Sequence, residues 1–197
     1  LRQLRSYHAF RVHAAYYLLK QYDSSDKILT YPESGSLPEL EESGLFGGVI
    51  PFSRDKAFTV RAFSWLVRSN SINPSTDAID EFKSTGLFAL FENQEIKNQL
   101  RSYYRSWEFV FPPGERQDGG EPNTIFLKNS FASNGYSYLD VSILENPIEE
   151  LLSVSTNRAV IKNMIDQSTY RSNGASDILS ALEELILKID NEIDNYP

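Results

Sequence analysis

Residues 176–193 run Ser-Asp-Ile-Leu-Ser-Ala-Leu-Glu-Glu-Leu-Ile-Leu-Lys-Ile-Asp-Asn-Glu-Ile. Leu179, Leu182, Ile186, Ile189 and Ile193 alternate steps of three and four, which is the heptad stripe of an amphipathic helix. Ser176 is suited to cap it, and Ser172-Asn173-Gly174 just upstream reads as a break from the helix before. That earlier helix has its own start signal at Asn146-Pro147-Ile148-Glu149. It offers a cap, a proline at the first helical position, and an acid three residues on that can return a bond to the cap. It should run to about Ser168, with an interruption near 153–156.

Working outward, residues 1–29 form the other long helix. Leu1, Leu4, His8, Val12, Ala15, Leu18, Leu19 and Tyr22 recur at helical steps, and no Gly or Pro intervenes before Pro32. Residues 31–53 read as a loop punctuated by Pro and Gly, with a weak helical piece at 39–46. A second helix spans 55–69 with Phe58, Ala62, Trp65 and Leu66 on one side. A third follows Asn73-Pro74 and should stop at Gly86, where a left-handed backbone suits glycine. Leu87 to Phe91 is a short apolar turn, and Asn93 starts a helix reaching about Phe109. Residues 112–123, rich in Pro, Gly and charge, read as a flexible surface loop. Thr124-Ile125-Phe126-Leu127 and Tyr136 to Val141 fit either short strands or irregular helix. The expected fold is therefore all-α: an antiparallel helical bundle in one domain, 1–197, with long irregular loops and room for one short β-hairpin in 124–141.

Composition narrows the function. The chain holds 41% apolar residues with 12 Phe, 11 Tyr and 2 Trp, too many for a disordered chain. Its net charge of −8 argues against nucleic acid and against an anionic lipid surface. With no cysteine, disulfides, thiolate metal sites and cysteine nucleophiles are excluded. No apolar run approaches the roughly 18 residues that a membrane helix needs. Charge is unevenly placed: residues 1–22 carry Arg2, Arg5, Arg11 and Lys20 and no acid, whereas 177–197 carry six acids against Lys188. The favoured expectation is that the first and last helices lie side by side with a fringe of ion pairs; the alternative is a basic surface meant for a partner.

Catalytic constellations are scarce. His8 and His13 sit five apart, about 140° around a helix, so they cannot share a metal as i, i+4 histidines do. His8 lies on the apolar stripe and reads as a core histidine. The acid clusters at Asp77, Asp80 and Glu81, at Glu41-Glu42, Glu149-Glu150 and Glu183-Glu184 sit mostly in first helical turns or on solvent faces, where the helix dipole or hydration accounts for them. No nucleophile elbow and no phosphate-binding glycine loop occurs. No cofactor and no metal is expected. Tyr16, Tyr17, Trp65 and Trp107 are candidate aromatic contacts, since Tyr and Trp favour interfaces; the favoured alternative is core filler in a bundle with few leucines.

The stretch from Ala78 to Trp107 resembles the central signature of an uncharacterised bacterial family of membrane-anchored helical proteins. The matching residues are Ser84, Gly86, Leu87, Asn93, Leu100, Tyr103 and Tyr104; Thr85 stands where the family often has serine. The resemblance implies a membrane helix upstream of Leu1 and a domain outside the cytoplasmic membrane, in the periplasm. It implies no catalytic residue. The expectation is a non-enzymatic sensing or protein-interaction domain, in contact with the membrane only through its anchor. The alternative is a small-molecule binder with an aromatic-lined pocket between helices. Ligand, partner and oligomeric state stay open.

Overall fold

The computed structural model describes residues 1–22, 37–38, 40, 56–68, 77–86, 88, 92–112, 121–137 and 140–194. Seven α-helices are described: α1 (Arg2–Tyr22), α2 (Lys56–Val67), α3 (Asp77–Ser84), α4 (Gln94–Val110), α5 (Pro122–Ser133), α6 (Pro147–Leu152) and α7 (Ser155–Asp194), with a 3-10 turn at Asp140–Ser142. Most of the expected loop at 31–53, the helix start at Asn73-Pro74, and Leu87 and Leu90 lie outside the described residues.

The all-α class follows from the sequence, but the longest element was read too short. Helix α7 runs 40 residues without a break, straight through Ser172-Asn173-Gly174. Glycine inside a helix costs about 1 kcal/mol in propensity, yet here it lets a neighbour approach. A Cβ on Gly174 would lie 2.8 Å from both methyl carbons of Val110 in α4. Ser172 is buried too, and its hydroxyl donates to the Arg5 carbonyl of α1 at 3.3 Å. Packing on both flanks holds the segment helical against its local preference. The interruption expected near 153–156 is present at Ser153-Val154. There Asn157 donates to the Leu151 carbonyl at 2.8 Å and Arg158 to the Ser153 carbonyl at 3.0 Å, satisfying the last carbonyls of α6. The return bond to Asn146 comes from Glu150 at 3.0 Å, not from Glu149.

No β-hairpin forms among the described residues of 124–141. Residues 122–133 are α5, with Pro122 in its first turn, and Gly135 ends the following turn at φ +84°. The alternation of 124–127 was too short to outweigh that helix start. The 112–123 loop is also shorter than expected at its far end: Glu121 is the N-cap of α5 and is buried.

Helix α1 is the buried axis. Its buried residues lie on every side, from Leu4, Tyr7 and Phe10 to Ala14, Leu18 and Leu19, as expected of an apolar helix enclosed by others. It packs on α2, α6 and, along most of its length, antiparallel on α7. The main core joins α1, α2, α5, α6 and the first half of α7. Phe10 meets Trp65 edge-on with ring centres 5.1 Å apart, and Tyr17 meets Phe58 at 4.7 Å. Each such side chain contributes about 1.5–3 kcal/mol by burial. A second core gathers Leu4, Trp107, Val110, Phe111, Ala175 and Ile178, and binds α4 to the second half of α7.

Candidate functional site: the groove between α4 and α7

Helix α4 is set by its ends. Lys83-Ser84-Thr85-Gly86 closes α3: the Ser84 and Thr85 hydroxyls donate to the Glu81 carbonyl at 2.9 and 3.0 Å, and Gly86 takes φ +75°. Asn93 then caps α4, its Oδ1 accepting from the Glu95 and Ile96 amides at 3.1 and 3.2 Å. The same side chain donates to Glu192 of α7 at 2.9 Å. Lys188 reaches Glu95 at 2.5 Å. At the other end Gly174 admits Val110. The two helices are thus pinned antiparallel at both ends; of the signature residues, Asn93 fastens α4 to α7, while Ser84 and Gly86 terminate α3.

Between those pins lies a groove of about 750 Å³. Its α4 wall carries Ser102, Tyr103, Ser106 and Phe109; its α7 wall carries Tyr170, Asn173, Asp177 and Glu184. Phe109 is 76% exposed and Tyr170 49%. The contents are therefore aromatic surface, hydroxyl and amide groups, two carboxylates on the α7 wall and Arg105 on the α4 wall. Tyr103 is half-buried, and its burial, with Tyr104 beside it, raises the phenol above its ordinary value. It stays a neutral hydrogen-bonding group at physiological pH. Tyr104 points to the other side of α4, where it lines a smaller hollow of about 230 Å³ with Lys83, Arg101 and Arg105.

The aromatic candidates separate from this groove. Tyr17 and Trp65 are buried in the main core and Trp107 in the second. Tyr16 is half-buried with the Lys20 ammonium 5.6 Å from its ring centre. The groove aromatics that matter are Phe109 and Tyr170, of which Tyr170 had no reading from sequence.

One polar constellation is buried. The Arg11 guanidinium, fully enclosed, pairs with one carboxylate oxygen of Glu121, and Arg171 pairs with the other. Arg11 also donates to the Thr124 hydroxyl at 2.9 Å, and Tyr7 donates to the Arg68 carbonyl. Burial works against the charge of Arg11, but Glu121 and Tyr7 outweigh it and hold the guanidinium protonated. The cluster joins α1, α5 and α7. From sequence, Arg11 belongs to the ion-pair fringe of the first helix; the structure turns it inward, where Glu121 offsets the cost of burying its charge.

His8 is buried as expected, stacked 5.8 Å from Phe111, but its Nδ1 has no partner. Burial first, then the charges of Arg11 and Arg171, hold its pKa well below the ordinary value. The Nε2 of His13 instead lies 2.8 Å from the Pro38 carbonyl oxygen. The acid clusters are dispersed: Asp80 lies 3.9 Å from Lys83, and Glu183 accepts from Arg2 at 3.1 Å. Among the described residues, no group of three or more His, Asp or Glu converges as a metal site, and no helix is long and apolar enough to cross a membrane. No protein-family model, curated protein or solved structure matches the chain.

Proposed function

We propose that this chain is a contact module and not an enzyme, and that the groove between α4 and α7 receives an apolar side chain of a partner protein. The observation that carries this reading is Phe109, a phenylalanine 76% exposed at the rim of a preformed groove. Leaving so much apolar area in water is unfavourable by about 25 cal/mol per Å², and a partner that covers it recovers that free energy. The groove is rigidly framed, which lowers the ordering cost of binding. The resemblance of residues 78–107 to membrane-anchored bacterial proteins adds a context: a domain displayed outside the cytoplasmic membrane by an anchor upstream of Leu1.

The test is photocross-linking in cells. With a benzophenone amino acid at Phe109, we expect a discrete protein adduct. The same probe at Phe126, 43% exposed on α5, should give none. Identical adducts from both positions, or none from either, would contradict the reading. A second reading, a small-molecule site, is favoured by the volume, which lies within the about 300–1,000 Å³ of ligand pockets. Native mass spectrometry of the purified chain distinguishes it by a bound mass that a Ser106→Trp variant loses.

A further inference from the structure

The smaller hollow of about 230 Å³ gathers positive charge in a chain whose net charge is −8. Two elements build its wall. Lys83 comes from the last turn of α3, and Arg101, Tyr104, Arg105 and Glu108 stand at i, i+3, i+4 and i+7 on one face of α4. Phe88 lines it as well, with its ring centre 5.0 Å from the Arg101 guanidinium carbon and 5.7 Å from the Lys97 ammonium. Cation–π attraction to that ring steadies the long Arg101 side chain, which lowers the cost of ordering it around a ligand. These guanidiniums are not spent inside the chain. Arg2, Arg11, Arg171 and Lys188 each pair with a carboxylate. Arg101 and Arg105 are both exposed and have no ion pair among the described residues; Arg101 reaches only the Asn98 amide oxygen, at 3.5 Å. Lys83 shares its charge with Asp80 at 3.9 Å, and Glu108 is the one acid of the wall. Burial first, then the Asp80 carboxylate, raise the Tyr104 phenol above its ordinary value, so it keeps its proton and can donate it to an acceptor.

We propose that this hollow binds a small phosphate monoester: Arg101 and Arg105 hold the phosphate oxygens, Tyr104 donates from its hydroxyl, and Phe88 flanks the organic part. The planar fork of a guanidinium matches phosphate oxygens two at a time, and a phosphate monoester brings about −1.5 to −2 charges at pH 7 to answer both forks. The volume lies below the roughly 300 Å³ at which pockets for drug-sized ligands begin, which suits one phosphate with a small substituent. A bilayer is disfavoured as the source of the phosphate. Asp80 and Glu81 are exposed on α3, the helix that carries Lys83, and an anionic lipid surface would repel them along with the acidic chain. Phe109 takes no part in the hollow, so a partner in the groove and a phosphate here stand or fall separately.

Phenyl phosphate serves as probe, titrated into the isotope-labelled chain while NMR follows the backbone amides of α4. We expect saturable shifts centred on Arg101, Tyr104 and Arg105, with inorganic phosphate competing at the same amides. Binding should be about tenfold weaker for Arg101→Gln, which loses charge-assisted hydrogen bonds, and unchanged for Lys162→Gln, which removes one exposed positive charge from α7 instead. Benzoate, with a ring but a single charge, should bind about tenfold more weakly than phenyl phosphate. Arg101 and Lys162 are both exposed, so each variant should keep the native spectrum. Four results overturn the proposal: no saturation; equal weakening by Arg101→Gln and Lys162→Gln, which is attraction to net charge alone; equal binding of benzoate and phenyl phosphate, which is an aromatic pocket without phosphate recognition; or binding to phosphatidic acid vesicles without binding to phenyl phosphate, which assigns the hollow to a membrane.

Discussion

Glu121 holds the buried charges of α1 and α7 together. It lies between two buried guanidiniums, and removing its charge leaves Arg11 and Arg171 facing each other away from water. Breaking a buried pair in this way costs about 3–5 kcal/mol. Glu121→Gln should therefore lower the stability of the chain by about that amount in urea unfolding, whereas Glu183→Gln, which loses only an exposed pair, should change it by less than about 1 kcal/mol. His8 makes the stability depend on pH. Its pKa is lower in the folded state than the ordinary 6.5 of the unfolded chain. The unfolded chain thus takes up a proton first as pH falls. Stability is fully present above about 6.5 and declines below it, by about 1.4 kcal/mol per unit, until the folded imidazole also titrates. His13, also lowered by burial, acts in the same direction. A His8→Leu variant should show a flatter stability profile between pH 7 and 5; an unchanged slope would place the pH dependence elsewhere.

At the scale of elements, helix ends were readable and helix interiors were less so. Asn93 and Gly86 do what their side chains permit: one caps with its carbonyl oxygen, the other turns at positive φ where nothing else crowds it. Such signals are local and need no tertiary partner. Gly174 was misread because its reason is not local. The sequence around it looks like a turn, and only the Val110 methyls explain why glycine stands in mid-helix. The prediction is that Gly174→Ala, despite its better helix propensity, destabilises the chain by about 1–3 kcal/mol through overpacking. Val110→Ala in the same chain should restore part of that loss, a coupling visible in a double-mutant cycle. The inner stripe of α7 was displaced for a related reason. Arg171, Ala175, Ile178, Leu182, Leu185 and Ile189 also keep heptad steps and share Leu182 and Ile189 with the stripe first read. Two overlapping stripes on one helix cannot be ranked from sequence, because which one is buried depends on where α1 and α4 lie.

For the whole molecule, opposite charges on the first and last helices gave the right neighbours but a partial account of why. Arg2 and Glu183 form the expected fringe, while Arg11 goes inward to Glu121, a residue 110 positions away that reads as loop. The groove was legible as a category, an aromatic surface between helices, and not as residues. Trp65 and Trp107, read as candidate contacts with core filler as the alternative, are core, since large aromatics serve either end. What organises the architecture is the uninterrupted α7, which carries α1 on one flank, α4 on the other, and exposed surface beyond both. Since the chain has no cysteine, spin labels at Thr156→Cys and Asp190→Cys, both exposed positions, report on α7 alone. A continuous helix between them predicts a narrow electron–electron distance distribution centred near 50 Å, from about 1.5 Å per residue. A broad distribution, or one centred well below that distance, would mean that α7 breaks at Ser172–Gly174 and would contradict the account.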